Sequence, residues 1–194
     1  MVIFHTNDAP GAAHYAIDRH GQTREITPES TVLDALGAGF WRGRSTLAPH
    51  CIAVAVSAPH PVLQLAAVVD LCLDLLSRHP IPPRNFVARN DVAPNAEPLE
   101  GFDWEGLARN GIGLWPSGVP DLGTGGTVRD AASLRDVRAA LAAIGYRVAP
   151  EGALDPALSL VLRAFQHHWR PEAITGQADA GTLARLLAVA RLCA

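Results

Sequence analysis

The sequence predicts an α/β domain, with a mixed central sheet and flanking helices, followed by a small all-α domain of three helices. Three stretches carry this expectation. "CIAVAVS" (51–57) is a nearly continuous apolar run, suited to a central strand covered on both faces. After Pro61 comes a mostly apolar segment in which Asp70, Asp74, Ser77 and Arg78 recur at three- to four-residue spacing, as in a helix lying against a sheet. Beyond residue 130, three helical stretches are divided by two turns of Gly-x-x-Asp form.

The remaining elements follow in chain order. Val2 to His5 is a short apolar run closed by Asn7-Asp8, a first strand. "AAHYAIDRHGQTREIT" reads as two alternating segments joined through Arg19-His20-Gly21, a hairpin. Residues 28–50 lack periodicity and carry Gly37, Gly39, Trp41, Gly43 and Pro49, which makes them a long loop. Phe86-Val87-Ala88 returns to the sheet and is expected to stop in a polar turn at Asn90-Asp91. Asp103 to Arg109 is a short helix closed by Asn110-Gly111. "GIGLWPSGVPDLGTGGT" (111–127) is Gly/Pro-rich and nearly uncharged, the texture of an interdomain linker. The boundaries are therefore 1–115 for the α/β domain, 116–127 for the linker and 128–194 for the helical domain. In the latter, helices are expected over 131–144, 156–168 and 180–193. Asp155 and Asp179 stand at N-caps, with Gly152 and Gly176 supplying backbone freedom before them.

Composition excludes several function classes. The net charge of −3 argues against nucleic-acid and anionic-membrane partners. All 16 basic residues are arginine, so no mechanism that needs a lysine nucleophile or ammonium donor is open to the chain. Cys51, Cys72 and Cys193 are odd in number and far apart, which indicates buried thiols rather than a zinc knuckle or disulfide framework. "MVIFHTNDAP" has neither a basic nor a long apolar region, so no signal peptide is read and a cytoplasmic location is expected, or a periplasmic one for a trimmed chain. Asp70 and Asp74 disqualify the longest apolar stretch as a membrane span.

Several residues have ordinary structural readings. His14 reads as a strand histidine. His167 and His168 are adjacent on a helix, face different ways and do not make a metal pair. Trp104, Trp115 and Phe165 read as packing residues. Glu25, Glu29 and Asp34 read as solvated charges. Trp41-Arg42 fits either the wall of a sugar- or peptide-binding cleft or a local core plug.

Two resemblances emerge from longer patterns. "LRDVRAALAAIGYRV", "GALDPALSLVLRAFQHHW" and "ITGQADAGTLARLL" make residues 133–190 resemble the peptidoglycan-binding three-helix domain found beside many cell-wall hydrolases. The first 115 residues resemble a shortened zinc-dependent N-acetylmuramoyl-L-alanine amidase of the peptidoglycan-recognition-protein-like type. That likeness rests on "VIFHTN", "AAHYAIDRHGQ", "FWRGR", "CIAVAVS", "HPIPPRNFVARNDVAP" and "EPLEGFDWEGLARNGIGLWP". The stretch between His5 and His14 is shorter than the family's loop.

The resemblance implies a zinc site, carried across residue by residue. The family's first ligand, a histidine ending the first strand, matches His5. Its second is the histidine of a Gly-His-x-Asp-(Ile/Val)-Ala-Pro motif, and here the stretch reads Ala88-Arg89-Asn90-Asp91-Val92-Ala93-Pro94. The third is an aspartate before proline, upstream of Phe-Asp-Trp; counting back from Phe102-Asp103-Trp104 gives Glu97-Pro98 after an apparent two-residue deletion. The family's catalytic glutamate ends an Ile-Gly-Ile-Glu strand, where this chain has Ile52-Ala53-Val54-Ala55. The lysine of bacterial relatives is missing, and the family's Trp-His-Ala-Gly loop corresponds to "LDALG" (33–37).

A catalytic zinc needs lone-pair donors and an open position for water, and an arginine has no lone pair to give. These departures imply no metal or other cofactor and a pseudo-amidase that recognises peptidoglycan or muropeptide fragments without cutting them. His5, Arg89, Asn90, Glu97, Trp41 and Arg42 are then the ligand-binding candidates. Arg89 is expected either to pair with Glu97, replacing the metal's charge, or to grip a carboxylate of a stem peptide. The alternatives are an active amidase with a rearranged site and a scaffold that binds a protein partner, such as an active amidase.

Overall fold

The computed structural model describes all residues except 7–11 and 34–36. The contraction of the loop after His5, the "LDALG" departure and the charge of Asp34 fall within or across those segments and lie outside the described residues. Five strands form one sheet in the order β3-β2-β4-β1-β5. They are β1 (Val2–His5), β2 (Tyr15–Ile17), β3 (Thr23–Glu25), β4 (Ile52–Val56) and β5 (Phe86–Ala88). β1 runs parallel to β4 and β5, β2 parallel to β4, and β3 antiparallel to β2. The sheet is therefore mixed, and the expected hairpin is β2–β3.

β4 is buried along its whole length because both faces are covered. One face carries Val2, Phe4, Ile52, Val54 and Phe86, which pack with Val68, Leu71, Cys72 and Leu75 of α1 (Val62–Arg78). Trp104 and Leu107 of α3 (Trp104–Arg109) join that cluster, and the Asp103 carboxylate caps α3 by accepting from Gly106 N. Buried Gln64 fastens the start of α1 to the sheet, its amide donating to the carbonyls of Ile17 and Ser57.

The other face carries Ile3, Ala53 and Val87, and it does not close on its own. Its cluster continues through Trp41, Leu47, Cys51 and Val92 into Leu134, Leu141, Tyr146, Phe165, Trp169 and Leu186 of the helical region. That region comprises α4 (Ala131–Ile144), α5 (Pro156–Trp169) and α6 (Ala180–Leu192). Asp130, Asp155 and Asp179 cap the three helices by accepting from the third residue onward, as the Gly-x-x-Asp turns led one to expect for the last two. The Gly-rich segment before α4 is tied down too. Ala180 N donates to Gly125 O and Gly181 N to Gly123 O, while buried Arg170 donates to Gly123 O as well as to Asp179.

Two local readings are corrected. Phe86–Ala88 ends in a single helical turn, α2 (Arg89–Val92), because the Asp91 carboxylate turns back to accept from Ala88 N at 2.8 Å. Glu29 is not a solvated charge. It accepts hydrogen bonds from the Tyr15 hydroxyl, from Arg78 at 2.7 Å and from His79 at 2.6 Å. Burial alone would raise the Glu29 pKa, but the bonds from Tyr15, Arg78 and His79 outweigh it and hold the carboxyl at about 2. A depressed folded pKa means stabilisation that is present above the ordinary value near 4.5 and lost as the pH falls toward 2. Glu29→Gln is accordingly expected to be less stable than the parent near neutrality, with the gap closing in acid. Urea unfolding at a series of pH values checks this, and a gap independent of pH would contradict it.

Candidate functional site

Strand register decides what meets at the carboxyl edge of the sheet. His5 ends β1 directly opposite Ala55 of β4, and on the other side Phe4 lies opposite Ala88 of β5. Arg89, the next residue, therefore emerges beside His5. His5, Ala55 and Arg89 stand at the ends of three neighbouring strands, the place where parallel sheets present working side chains. His5 is buried.

Arg89 is half-buried, and burial lowers its pKa from the ordinary guanidinium value, with Cys51 pulling the other way. Its Nη2 donates to Ala38 O at 3.3 Å, while Nη1 is enclosed without a hydrogen-bond partner among the described residues. Asn90 beside it is buried, and its Oδ1 likewise has no partner among the described residues. The expected pairing of Arg89 with Glu97 does not form. Glu97 is exposed, and among the described residues neither side chain takes part in an ion pair.

Trp41 and Arg42 do not wall a cleft at this edge. Trp41 is 3 % exposed and meets Tyr146 edge-to-face at 5.2 Å, so of the two readings left open it takes the core plug. Arg42 Nη1 donates to Ala143 O and Ile144 O, both at 3.0 Å, which satisfies the carboxyl end of α4. His14 is a structural residue with both ring nitrogens engaged: Nδ1 accepts from Ala53 N at 2.9 Å and Nε2 faces Thr31 O at 3.0 Å.

The residue that sequence reasoning missed is Asp91. Its carboxylate is fully buried and accepts from Ala88 N, from the Tyr146 hydroxyl and from His168 Nδ1 at 2.6 Å. Because both carboxylate oxygens are acceptors, Nδ1 is the nitrogen that carries the proton. The His168 ring is stacked between Trp104 at 3.8 Å and Trp169 at 4.0 Å. Burial first, and then the Asp91 charge, raise the Tyr146 pKa well above its ordinary value, so the hydroxyl stays a donor. One carboxylate thus joins the α/β region to α5 and to the connection that follows α4, one residue past Asn90. The available signal was an aspartate three residues beyond a buried strand end, at a position suited to bond back to it.

The donor chemistry does not fit the zinc set that the resemblance implies. Arg89 is a cation with no lone pair, and Glu97 is exposed. Among the described residues, no three His, Cys, Asp or Glu side chains gather in a group that could hold a metal ion.

Comparison with known proteins supplies the context. The profile described as "Putative peptidoglycan binding domain" matches residues 130–186. The chain is 31 % identical over 205 residues to the N-acetylmuramoyl-L-alanine amidase AmiD of Escherichia coli (strain K12), an alignment covering 91 % of this chain and 72 % of that protein. Among solved structures, the complex of E. coli AmiD with the substrate anhydro-N-acetylmuramic acid-L-Ala-D-γ-Glu-L-Lys superposes with a TM-score of 0.84 at 26 % identity, covering 98 % of this chain and 88 % of that one. AMPDH3 from Pseudomonas aeruginosa, in complex with anhydromuramic pentapeptide, shares the fold with a TM-score of 0.80 at 23 % identity over 96 % of this chain and 89 % of that one.

Proposed function

The chain belongs to the AmiD-type N-acetylmuramoyl-L-alanine amidase family, and on that premise we propose that it recognises muropeptide fragments of peptidoglycan without hydrolysing them. The observation that carries this reading is Arg89. A guanidinium with one enclosed nitrogen that has no partner among the described residues follows the strand beside His5, where the resemblance leads one to expect a zinc-bound imidazole. An enclosed donor without a partner is costly unless something arrives to accept from it. A stem peptide offers carboxylates, and a guanidinium fork suits them. E. coli AmiD binds a substrate with a γ-linked D-glutamate, which keeps one free carboxylate on that residue.

The same residues explain why the ligand stays intact. Amide hydrolysis by a zinc enzyme needs a metal-bound water and a group to take its proton. Arg89 repels a metal rather than binding it, and Ala55 takes no proton. What remains is a sheet edge with fixed positive charge, suited to hold an anionic peptide.

Calorimetric titration with anhydro-N-acetylmuramic acid-L-Ala-D-γ-Glu-L-Lys tests the reading. The parent protein is expected to bind, and Arg89→Gln to bind about tenfold more weakly or worse, the scale of one hydrogen bond to a charged group. Absence of binding to the parent overturns the reading and leaves a protein partner as the remaining role for the fold.

A further inference from the structure

A positively charged groove whose lining does not include Arg89 lies between the loop that carries Trp41 and the carboxyl end of α4. Its volume is about 450 Å³, within the range of small-ligand sites, and its walls include Phe40, Arg42, Tyr146, Arg147 and Val148. Arg42 enters from the α/β region and Arg147 from the helical region. Neither arginine takes part in an ion pair among the described residues, although the chain is acidic overall. The Arg147 guanidinium lies over the Phe40 ring at 5.7 Å, which holds it at the groove.

The groove is also held rigidly. Arg42 is, among the described residues, the one non-glycine with a left-handed backbone, φ 48°, a conformation that persists where its surroundings enforce it. Arg42 N donates to Gly145 O, and a Cβ at Gly145 would meet Arg42 Cγ at 2.8 Å and Trp41 Cε2 at 2.9 Å. Arg42 Nη1 is spent on the last carbonyls of α4, which offsets the negative end of that helix. Its Nε and Nη2 make no hydrogen bond among the described residues. A partly exposed phenylalanine ring flanked by two guanidiniums, one with open donors, fits a short peptide bearing a carboxylate.

We infer that this groove is a second binding subsite for a carboxylate-bearing stem peptide of peptidoglycan, separate from the Arg89 edge. The inference rests on the muropeptide reading above and deepens it: one molecule would hold two stems, or two points of one cross-linked stem. Arg147 is exposed and supports no buried contact, so its replacement leaves the fold intact, whereas Arg42 also closes α4 and makes a poorer probe.

The test is a calorimetric titration with the sugar-free tripeptide L-Ala-D-γ-Glu-L-Lys and with its α-linked isomer L-Ala-L-α-Glu-L-Lys. It uses the parent, Arg89→Gln, and Arg89→Gln combined with Arg147→Gln. The tripeptide is expected to bind Arg89→Gln still, and the double variant about tenfold more weakly. A preference for the γ-linked peptide marks a stem subsite; equal binding of the two isomers overturns the stem assignment. Equal affinity of the single and double variants, or no tripeptide binding to Arg89→Gln while the parent binds the muropeptide, overturns the groove and leaves the Arg89 reading standing. A parent protein that binds neither ligand overturns both.

Discussion

Replacing Asp91 by alanine is expected to destabilise the protein by about 3–5 kcal/mol, the scale of leaving several buried hydrogen-bond donors unsatisfied. The carboxylate accepts from Ala88 N, Tyr146 and His168, so its loss strands three donors in the interior at once. Bulk solvent does not reach them, because Tyr146 and His168 are each about 2 % exposed. The Trp104–His168–Trp169 stack then loses the bond that orients its central ring. Against a typical total of about 5–15 kcal/mol this is a large fraction, and it corresponds to a fall in Tm of roughly 6–20 °C.

Asp91→Asn keeps the shape and one acceptor, so it is expected to cost less, about 1–3 kcal/mol. Urea unfolding at neutral pH measures both variants. Because the sheet and the helical region share one apolar cluster, tryptophan fluorescence and far-ultraviolet circular dichroism should report a single transition in each. A loss below about 1 kcal/mol for Asp91→Ala would show that the two regions are held by the apolar cluster alone.

The contrast between what the sequence revealed and what it concealed follows from the range of the forces involved. β4 was legible because an unbroken apolar run records burial on both faces. α1 was legible because its charges repeat at helical spacing, and α5 and α6 because an Asp at the N-cap is a signal spanning only a few residues. The family likeness was also legible, since its motifs occur in order along the chain. The Asp91 network was not, because its partners lie 55 and 77 residues away and nothing local marks Tyr146 or His168 as their counterparts. Glu29 was misread for the same reason: Arg78 and His79 are about fifty positions removed, at the far end of α1.

The candidate site was legible in its chemistry and misread in its geometry. Arg89 follows β5, whose Ala88 lies opposite Phe4, so its backbone leaves the sheet next to that of His5. Glu97 followed from counting back to Phe-Asp-Trp, but an exposed side chain in an irregular segment gains little from an ion pair, and none forms with Arg89. Trp41 left two readings open because a tryptophan after glycines suits a ligand-facing loop and a core plug equally well. Only the distant Tyr146 decides between them.

The largest expected effect concerns turnover. A well-placed acid/base group is worth about 10²–10⁴-fold in rate, and this chain carries alanine at position 55 and arginine at position 89, where the resemblance leads one to expect the family's glutamate and metal-ligating histidine. The most direct measurement incubates the purified protein with anhydro-N-acetylmuramic acid-L-Ala-D-γ-Glu-L-Lys and zinc, beside E. coli AmiD, and follows both ligand and products by mass spectrometry. The ligand is expected to be recovered whole from this protein under conditions in which AmiD consumes it, with no equivalent of zinc retained after dialysis. Release of L-Ala-D-γ-Glu-L-Lys that stops on addition of a chelator would contradict the account at its root.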